Sequence, residues 1–192
     1  EGDKVVGINR TGLVVSLPEP IIRTVRMLQT GACLLDGEAV RDLFIAFDLL
    51  HEANLDLRPH AYQQRLAHLI ELVDTVESDA IRYADTAVGT MEKQAMLGRL
   101  RGAEKEGVVF KRHDAPYTPG RPNTGGTQRK LKFYATASCI VASSTRSKRS
   151  VGLELIDTAA GGNRIGVGNV TIPGNHAIPA KGEVVEVRYL YA

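Results

Sequence analysis

Three short segments of this sequence carry acidic and basic residues at spacings that suit phosphoryl or nucleotidyl transfer. Residues 35–40 read LDGEAV, residues 106–111 read EGVVFK and residues 130–132 read KLK. Alternation along a strand would place both lysines of the third segment on one face. Carboxylates can hold a divalent metal, while ammonium groups neutralise the negative charge that grows on a transferred phosphorus. The three segments together predict a site for a phosphate-bearing ligand.

Each segment also has an ordinary structural explanation. An Asp-Gly-Glu sequence is a common surface turn at the end of a strand, and a Lys-x-Lys strand is often a solvated sheet edge. The surrounding charge favours a polyanionic ligand, because residues 99–149 contain twelve Lys or Arg against three acidic residues. It is the order and spacing of the three segments that favour a chemical role.

Turn residues and apolar spacing predict the elements that must position these segments. Residues 4–9 and 13–17 form a predicted hairpin around Gly12, and short apolar strands flank the Asp-Gly-Glu segment. A further buried strand is predicted at residues 108–110. Apolar spacing predicts three helices, at residues 21–28, 59–73 and 90–100.

The character of the sequence changes after Lys132. Four strand-like segments follow, separated by Gly, Ser and Asn clusters, at residues 137–143, 152–157, 164–170 and 183–189. Short strands at this spacing predict a small β-barrel or sandwich. We therefore expect an α+β protein with one domain at residues 1–132 and a second at residues 133–192.

The ordered segments resemble a known superfamily, the covalent nucleotidyltransferases. The Asp-Gly-Glu segment, FIAFDLL at residues 44–50, EGVVFK and KLK look like its motifs III, IIIa, IV and V. The sequence YTPGR at residues 117–121 is similar to the loop before motif V in bacterial ATP-dependent DNA ligases. Residues 168–173 and 182–189 resemble the OB domain of ligases. The resemblance implies an ATP-grasp-like ligase adenylation domain of antiparallel sheets and flanking helices, followed by an incomplete β-barrel OB-fold domain.

The resemblance also implies roles for individual residues. The residues implied to bind ATP or AMP are Lys4, Arg10, Glu38, Phe47, Arg121, Lys130 and Lys132. Phe47 would stack on the adenine, with packing in the core as the alternative. Glu106, together with Glu38, would hold Mg²⁺ or Mn²⁺. The residues implied to contact DNA are Lys111, Lys148 and Arg149.

The attacking lysine of this superfamily is expected outside the given sequence. Residues 1–4 read EGDK and match the last four places of the motif K-x-D-G-x-R, with Glu1 in place of the aspartate and Lys4 in place of the arginine. The nucleophile would then lie two residues before Glu1. We therefore expect the chain to be a ligase fragment that begins inside this motif and ends before the last motif of the superfamily.

The cysteines, the histidines and the apolar runs indicate the class of protein but identify no further site. The two cysteines lack CxxC spacing, and the five histidines form no metal-binding pattern. No apolar run approaches the roughly 18 residues of a membrane span. We expect a cytoplasmic monomer, of bacterial or phage origin, that seals nicked double-stranded DNA. An RNA ligase or capping-type enzyme, and a non-catalytic nucleic-acid-binding module with the same fold, remain open alternatives.

Overall fold

A computed structural model describes residues 4–120, 126–158 and 161–190 of the chain. It divides into two compact units. The first unit comprises Glu1–Met96 and Val109–Leu131, and the second comprises Leu97–Val108 and Lys132–Ala192. Helices and antiparallel sheets coexist, as the predicted α+β class requires. No helix among the described residues is long and apolar enough to cross a membrane.

The first unit begins with the predicted hairpin. Strands β1 (Gly7–Ile8) and β2 (Val14–Val15) pair antiparallel. Their connection is fixed by Asn9, whose Oδ1 accepts hydrogen bonds from the main-chain N–H groups of Thr11 and Leu13, each at 3.0 Å. Gly12 has a φ of 83°, a conformation that a residue without Cβ adopts at little cost.

A mixed sheet forms the body of the first unit. Strand β3 (Cys33–Val40) pairs antiparallel with β4 (Leu43–Glu52), which also pairs with β5 (Leu55–Asp56). Strand β6 (Ile81–Tyr83) runs parallel to β4 on the other side. Strand β4 is therefore the central strand, and Ala46 and Leu49 on it are fully buried.

The Asp-Gly-Glu segment lies inside β3, so the prediction that it forms a turn at the end of a strand is wrong. The reversal comes later, at Arg41, whose φ is 55°. Gly37 is needed for a different reason. A Cβ at this position would collide with the Ile45 carbonyl oxygen and the Phe44 ring across the strand pair. The glycine therefore allows β3 and β4 to approach closely.

Helices cover the sheet of the first unit. Helix α1 (Glu19–Met27) carries a proline in its first turn, and α2 (Tyr62–Val73) begins three residues after the predicted start at Pro59. The apolar stripe of α2 packs on β4 and β6. The buried cluster comprises Leu28, Ala46, Leu49, Leu57, Leu66, Leu69, Leu72, Val73 and Ile81. A third helix, α3 (Thr90–Gly102), confirms the prediction for residues 90–100.

Strands β7 (Gly107–Lys111) and β8 (Gln128–Lys132) form a two-stranded sheet. The division between the units passes through both strands, so each strand has residues in both units. These strands carry the EGVVFK and KLK segments, apart from Glu106, which immediately precedes β7.

The second unit contains an antiparallel sheet with the four predicted strands. They are β9 (Tyr134–Thr145), β10 (Ser150–Asp157), β11 (Asn163–Thr171) and β12 (Val184–Leu190), arranged in the order β11-β10-β9-β12. The core of this sheet consists of Cys139, Val141, Val151 and Leu153. Alternation along β9 and β10 turns these side chains to the same face. The closure of this sheet into an OB-type barrel stays a prediction.

Candidate functional site

A buried ion pair lies at the centre of the first unit. Asp48 on β4 and Arg65 on α2 are exposed by only 0% and 2% of their surface. The guanidinium donates from Nε to Asp48 Oδ1 at 2.8 Å and from Nη2 to Oδ2 at 3.0 Å. This two-bond geometry is the strongest form of an Arg–carboxylate contact. Strand β4 and helix α2 are therefore fixed to each other by charge as well as by apolar packing.

The remaining surface of the Arg65 guanidinium is also occupied. Its Nη1 donates to the main-chain oxygens of His60 at 2.5 Å and Ala115 at 3.3 Å. The rings of Tyr62 and Tyr117 lie 5.6 and 5.9 Å from its central carbon, within cation–π range. Such complete coordination explains how a permanently charged group is accommodated in the interior.

Lys111, the last residue of β7, completes this cluster. Its Nζ donates to the main-chain oxygen of Phe47 at 2.8 Å and lies 3.4 Å from Asp48 Oδ2. The ammonium also stands 4.3 Å from the centre of the Tyr62 ring. The side chain is only 15% exposed. Burial lowers the pKa of Lys111, while the Asp48 carboxylate opposes that change. The predicted contact of Lys111 with DNA stays a prediction.

Phe47 occupies an irregular position on β4. The register with β3 passes from Asp48 opposite Asp36 to Ala46 opposite Gly37. Phe47 is therefore an extra residue, the mark of a β-bulge. Its side chain is half-buried. A bulge re-aims the side chain of the extra residue relative to the regular alternation of the strand.

The two carboxylates of the Asp-Gly-Glu segment project from one side of β3. Asp36 and Glu38 are both exposed, with the half-buried Gly37 between them. Although Asp36 as a residue is exposed, its carboxyl group is partly desolvated, which raises its pKa; Lys111 opposes the rise and Asp48 adds to it. Asp36 thus lies within the electrostatic reach of the buried cluster. Glu38 is paired in register with Ile45 of β4.

A second lysine–carboxylate pair lies in the second unit. Lys132 Nζ donates to Glu106 Oε1 at 2.6 Å, with side-chain exposures of 38% and 62%. The bond to Glu106 raises the pKa of Lys132. The structure thus brings together the residue predicted to hold metal and one of the lysines predicted to hold phosphate. Lys130, two residues earlier on β8, is exposed.

The other predicted residues occupy separate places. Lys4 is exposed, and Arg10 is exposed in the turn of the first hairpin. Arg121 lies outside the described residues. Lys148 is exposed in a single 3-10 turn between β9 and β10. Arg149 donates hydrogen bonds to three main-chain oxygens, those of Ile172, Pro173 and His176.

Sequence reasoning missed two members of the buried cluster, although both left a signal. Asp48 interrupts the apolar run FIAFDLL, and Arg65 precedes Leu66 on the apolar stripe of α2, one turn before Leu69. A charged residue inside an apolar pattern requires a partner of opposite charge nearby. One acid and one base at such positions therefore point to a buried ion pair.

A metal ion at the predicted carboxylates would need ligands beyond the protein side chains. No group of three or more His, Cys, Asp or Glu that could hold a metal occurs among the described residues. Mg²⁺ in phosphate-processing sites commonly uses one or two carboxylates, with phosphate oxygens and water completing its shell. The exposed carboxylate of Glu106 could serve in this way once it is released from Lys132.

The fold is shared with DNA ligase domains. The ligase domain of LigD from M. tuberculosis matches with a TM-score of 0.59 and 21% identity, over 98% of this chain and 77% of that one. A Lig E DNA ligase matches with a TM-score of 0.64 and 16% identity, over 95% and 78%. A mycobacterial DNA ligase D complexed with ATP and MES matches with a TM-score of 0.56 and 22% identity, over 85% of this chain and 58% of that one.

No protein-family model and no curated protein matches the chain. At 16–22% identity, the structural likeness establishes a common fold and leaves the activity to be argued from the residues.

Proposed function

We propose that this chain is the core of an ATP-dependent DNA ligase that seals nicks through a lysyl-adenylate and a 5′-adenylated DNA. The main support is the fold shared with DNA ligase domains over 98% of the chain. The chain also carries Asp-Gly-Glu, EGVVFK and KLK in the order of the ligase motifs. In this proposal residues 1–132 are the adenylation domain and residues 133–192 belong to the OB-fold domain.

The first step requires charge to be neutralised around the α-phosphate of ATP. In the proposal Lys130 and Lys132 contact this phosphate, with Arg121, Arg10 and Lys4 as further basic residues of the nucleotide site. Fixed positive groups stabilise the negative charge that grows at phosphorus in the transition state. In the proposal the nucleophile is a lysine amine, which forms the bond to phosphorus as pyrophosphate leaves.

The nucleoside end is proposed to bind at β3 and β4. Glu38 projects from β3 and would accept a hydrogen bond from a ribose hydroxyl. Phe47 would present its ring to the adenine, since a flat aromatic surface stacks on a purine. Glu106, together with Glu38, would hold Mg²⁺ or Mn²⁺. The bound metal would neutralise phosphate charge.

Nicked double-stranded DNA is the proposed substrate. Lys148 and Arg149 would contact its phosphate backbone through the second unit. The bonds of Arg149 to three main-chain oxygens leave Lys148 as the more accessible of the two cations. The monomeric state and the cytoplasmic location are part of the same proposal.

Adenylation of the full-length protein tests this function directly. Incubation with Mg²⁺ and ATP labelled in the α-phosphate should yield an acid-labile protein–AMP adduct. Lys130→Ala should abolish labelling without a change in melting temperature, because Lys130 is exposed on β8. Arg129→Ala is the matched control, since its side chain projects from the opposite face of the same strand and labelling should persist.

The substrate is tested with the same preparation. Nicked DNA should be joined, and a nicked RNA duplex should be joined much more slowly. Preferential joining of RNA would favour an RNA ligase instead. A protein that forms no adduct in the presence of metal would contradict the enzymatic proposal and favour a non-catalytic binding module.

A further inference from the structure

The bulge at Phe47 leaves a main-chain carbonyl oxygen outside the regular pairing of β4. Pairing with β6 ends at Ala46, and pairing with β5 begins at His51. Across the β3 side, Phe47 is the residue skipped by the register. A main-chain acceptor in the interior needs a donor. Here that donor is the Lys111 ammonium, 2.8 Å from the Phe47 oxygen.

The position of the ammonium is itself determined by the buried ion pair. Asp48 follows Phe47 directly, and its Oδ2 lies 3.4 Å from Lys111 Nζ. The two bonds from Arg65 prevent the carboxylate from turning away. Strand β7 is thereby fastened to the bulge of β4 by one ammonium that touches two consecutive residues.

Burying these charged groups costs desolvation free energy, which argues that the cluster contributes more than stability. A buried ion pair or triad can usually be replaced by apolar residues of similar volume without loss of stability. The cluster here places two cations around one fully buried carboxylate. Bulges are frequent beside functional sites, where they set the direction of a side chain. At this bulge, the side chain whose direction is determined is that of Phe47.

We infer that Lys111 is a positioning residue of the nucleotide site, which locks the β4 bulge so that the Phe47 ring is held ready to stack on the base. Asp48 and Arg65 act one step further away, by holding Lys111 in place. This inference rests on the proposed function and goes beyond it, because it assigns Lys111 to the nucleotide rather than to DNA. The pre-set ring lowers the cost of ordering when the base binds.

Two ligands separate an effect on base stacking from an effect on charge. ATP carries the base, and inorganic tripolyphosphate carries a comparable negative charge without it. Both would be titrated calorimetrically into the full-length protein with EDTA present, so that binding is not followed by chemistry. Lys111→Met keeps the length of the side chain and leaves the Asp48–Arg65 pair intact.

Lys111→Met should weaken ATP binding about tenfold, within the range for one base–aromatic stack. Tripolyphosphate binding should change less than twofold. Arg112→Met is the matched control, because it removes one positive charge at the next position, where the guanidinium is exposed and bonded to Asp114. It should leave both affinities unchanged.

A double-mutant cycle shows whether Lys111 acts through Phe47. Phe47→Leu keeps an apolar side chain but removes the aromatic surface. In that background Lys111→Met should produce little further loss of ATP affinity, since the ring that it positions is already absent. Additive losses would overturn the inference. A structural weakening of the whole unit would also be additive, and would lower the affinity for tripolyphosphate.

The remaining outcomes are equally decisive. Equal weakening of ATP and tripolyphosphate by Lys111→Met would make Lys111 a phosphate contact and overturn the inference. Reduced affinity for nicked DNA with unchanged ATP affinity would make it a DNA contact, with the same consequence. If the unsubstituted protein binds no ATP, the proposed function itself fails. Titration of the unsubstituted protein alone therefore separates this failure from a failure of the inference about Lys111.

Discussion

The two units use the same pair of residue types in opposite surroundings. In the first unit, Lys111 meets Asp48 at 3.4 Å, with side-chain exposures of 15% and 1%. In the second unit, Lys132 meets Glu106 at a shorter 2.6 Å, with exposures of 38% and 62%. By distance alone the second contact is the closer one. Burial reverses their expected contributions to stability.

The two pairs differ in whether water can solvate the charges once the pair separates. An exposed ion pair gives up little when it separates, because both charges are resolvated, and its contribution is about 0–1 kcal/mol. A buried charge that loses its partner cannot be resolvated in place. Separating the exposed pair of the second unit should therefore cost little free energy, whereas separating the buried cluster of the first unit should cost much more.

The largest predicted effect follows removal of Arg65. Arg65→Met leaves the fully buried Asp48 carboxylate with only the longer Lys111 contact. We expect the free energy of unfolding to fall by about 3–5 kcal/mol, measured by urea denaturation. Glu106→Gln, which breaks the exposed pair, is the control, with a change below about 1 kcal/mol. Similar small changes in both variants would remove the contrast between the two pairs.

An intermediate effect is predicted for alkaline pH through Tyr62, which borders the buried cluster. Burial, and then the charge of Asp48, raises the pKa of Tyr62 to about 12. An unfolded tyrosine has a pKa of about 10. Below pH 10 the phenol is protonated in both states, so its contribution to stability is constant. Between about pH 10 and 12 only the unfolded state releases the proton, so stability falls as pH rises.

Tyr62→Phe isolates this contribution. The free energy of unfolding of the two proteins should differ by a constant amount below pH 10. Between about pH 10 and 12 the unsubstituted protein should lose about 2 kcal/mol relative to the variant. The comparison is made by urea denaturation at about pH 8, 10 and 11.5, which lie below, at and above the pKa of about 10 of an unfolded tyrosine. A difference that stays constant throughout would show that the phenol is not desolvated.

The smallest effect on stability is predicted for Lys132→Met. The exposed contact with Glu106 should contribute less than about 1 kcal/mol, and added salt should reduce that further. Formation of the protein–AMP adduct should nevertheless fall strongly, since the proposed role of Lys132 is to contact phosphate. A large loss of stability would instead make this pair a structural element like that of the first unit.

Much of the fold could be predicted because local patterns and tertiary structure agree. The hairpin around Gly12, helix α3 and the four strands of the second unit follow from turn residues and apolar spacing. The Asp-Gly-Glu segment was misplaced because Gly37 resembles a turn residue in isolation. Its real reason is the close approach of Ile45 and Phe44 on the neighbouring strand, which a local pattern does not contain.

The candidate site was less accessible to sequence reasoning. The spacing of Lys130 and Lys132 predicted a strand face, and β8 confirms the strand. The association of Lys111 with Phe47 joins residues that are far apart in the chain, and it depends on a bulge that no composition rule predicts.

The buried cluster of Asp48, Arg65 and Lys111 also restricts how the sequence can diverge. A lineage that loses the acid traps two cations in the interior, so each single exchange is selected against. Only a joint exchange for apolar residues of matching volume escapes this restriction. Diverged descendants should therefore vary at these positions as a set, although Asp48 stands 17 residues from Arg65 and 63 from Lys111. Descendants that have replaced the whole set should retain the fold, since apolar residues of matching volume can take the place of the buried charges.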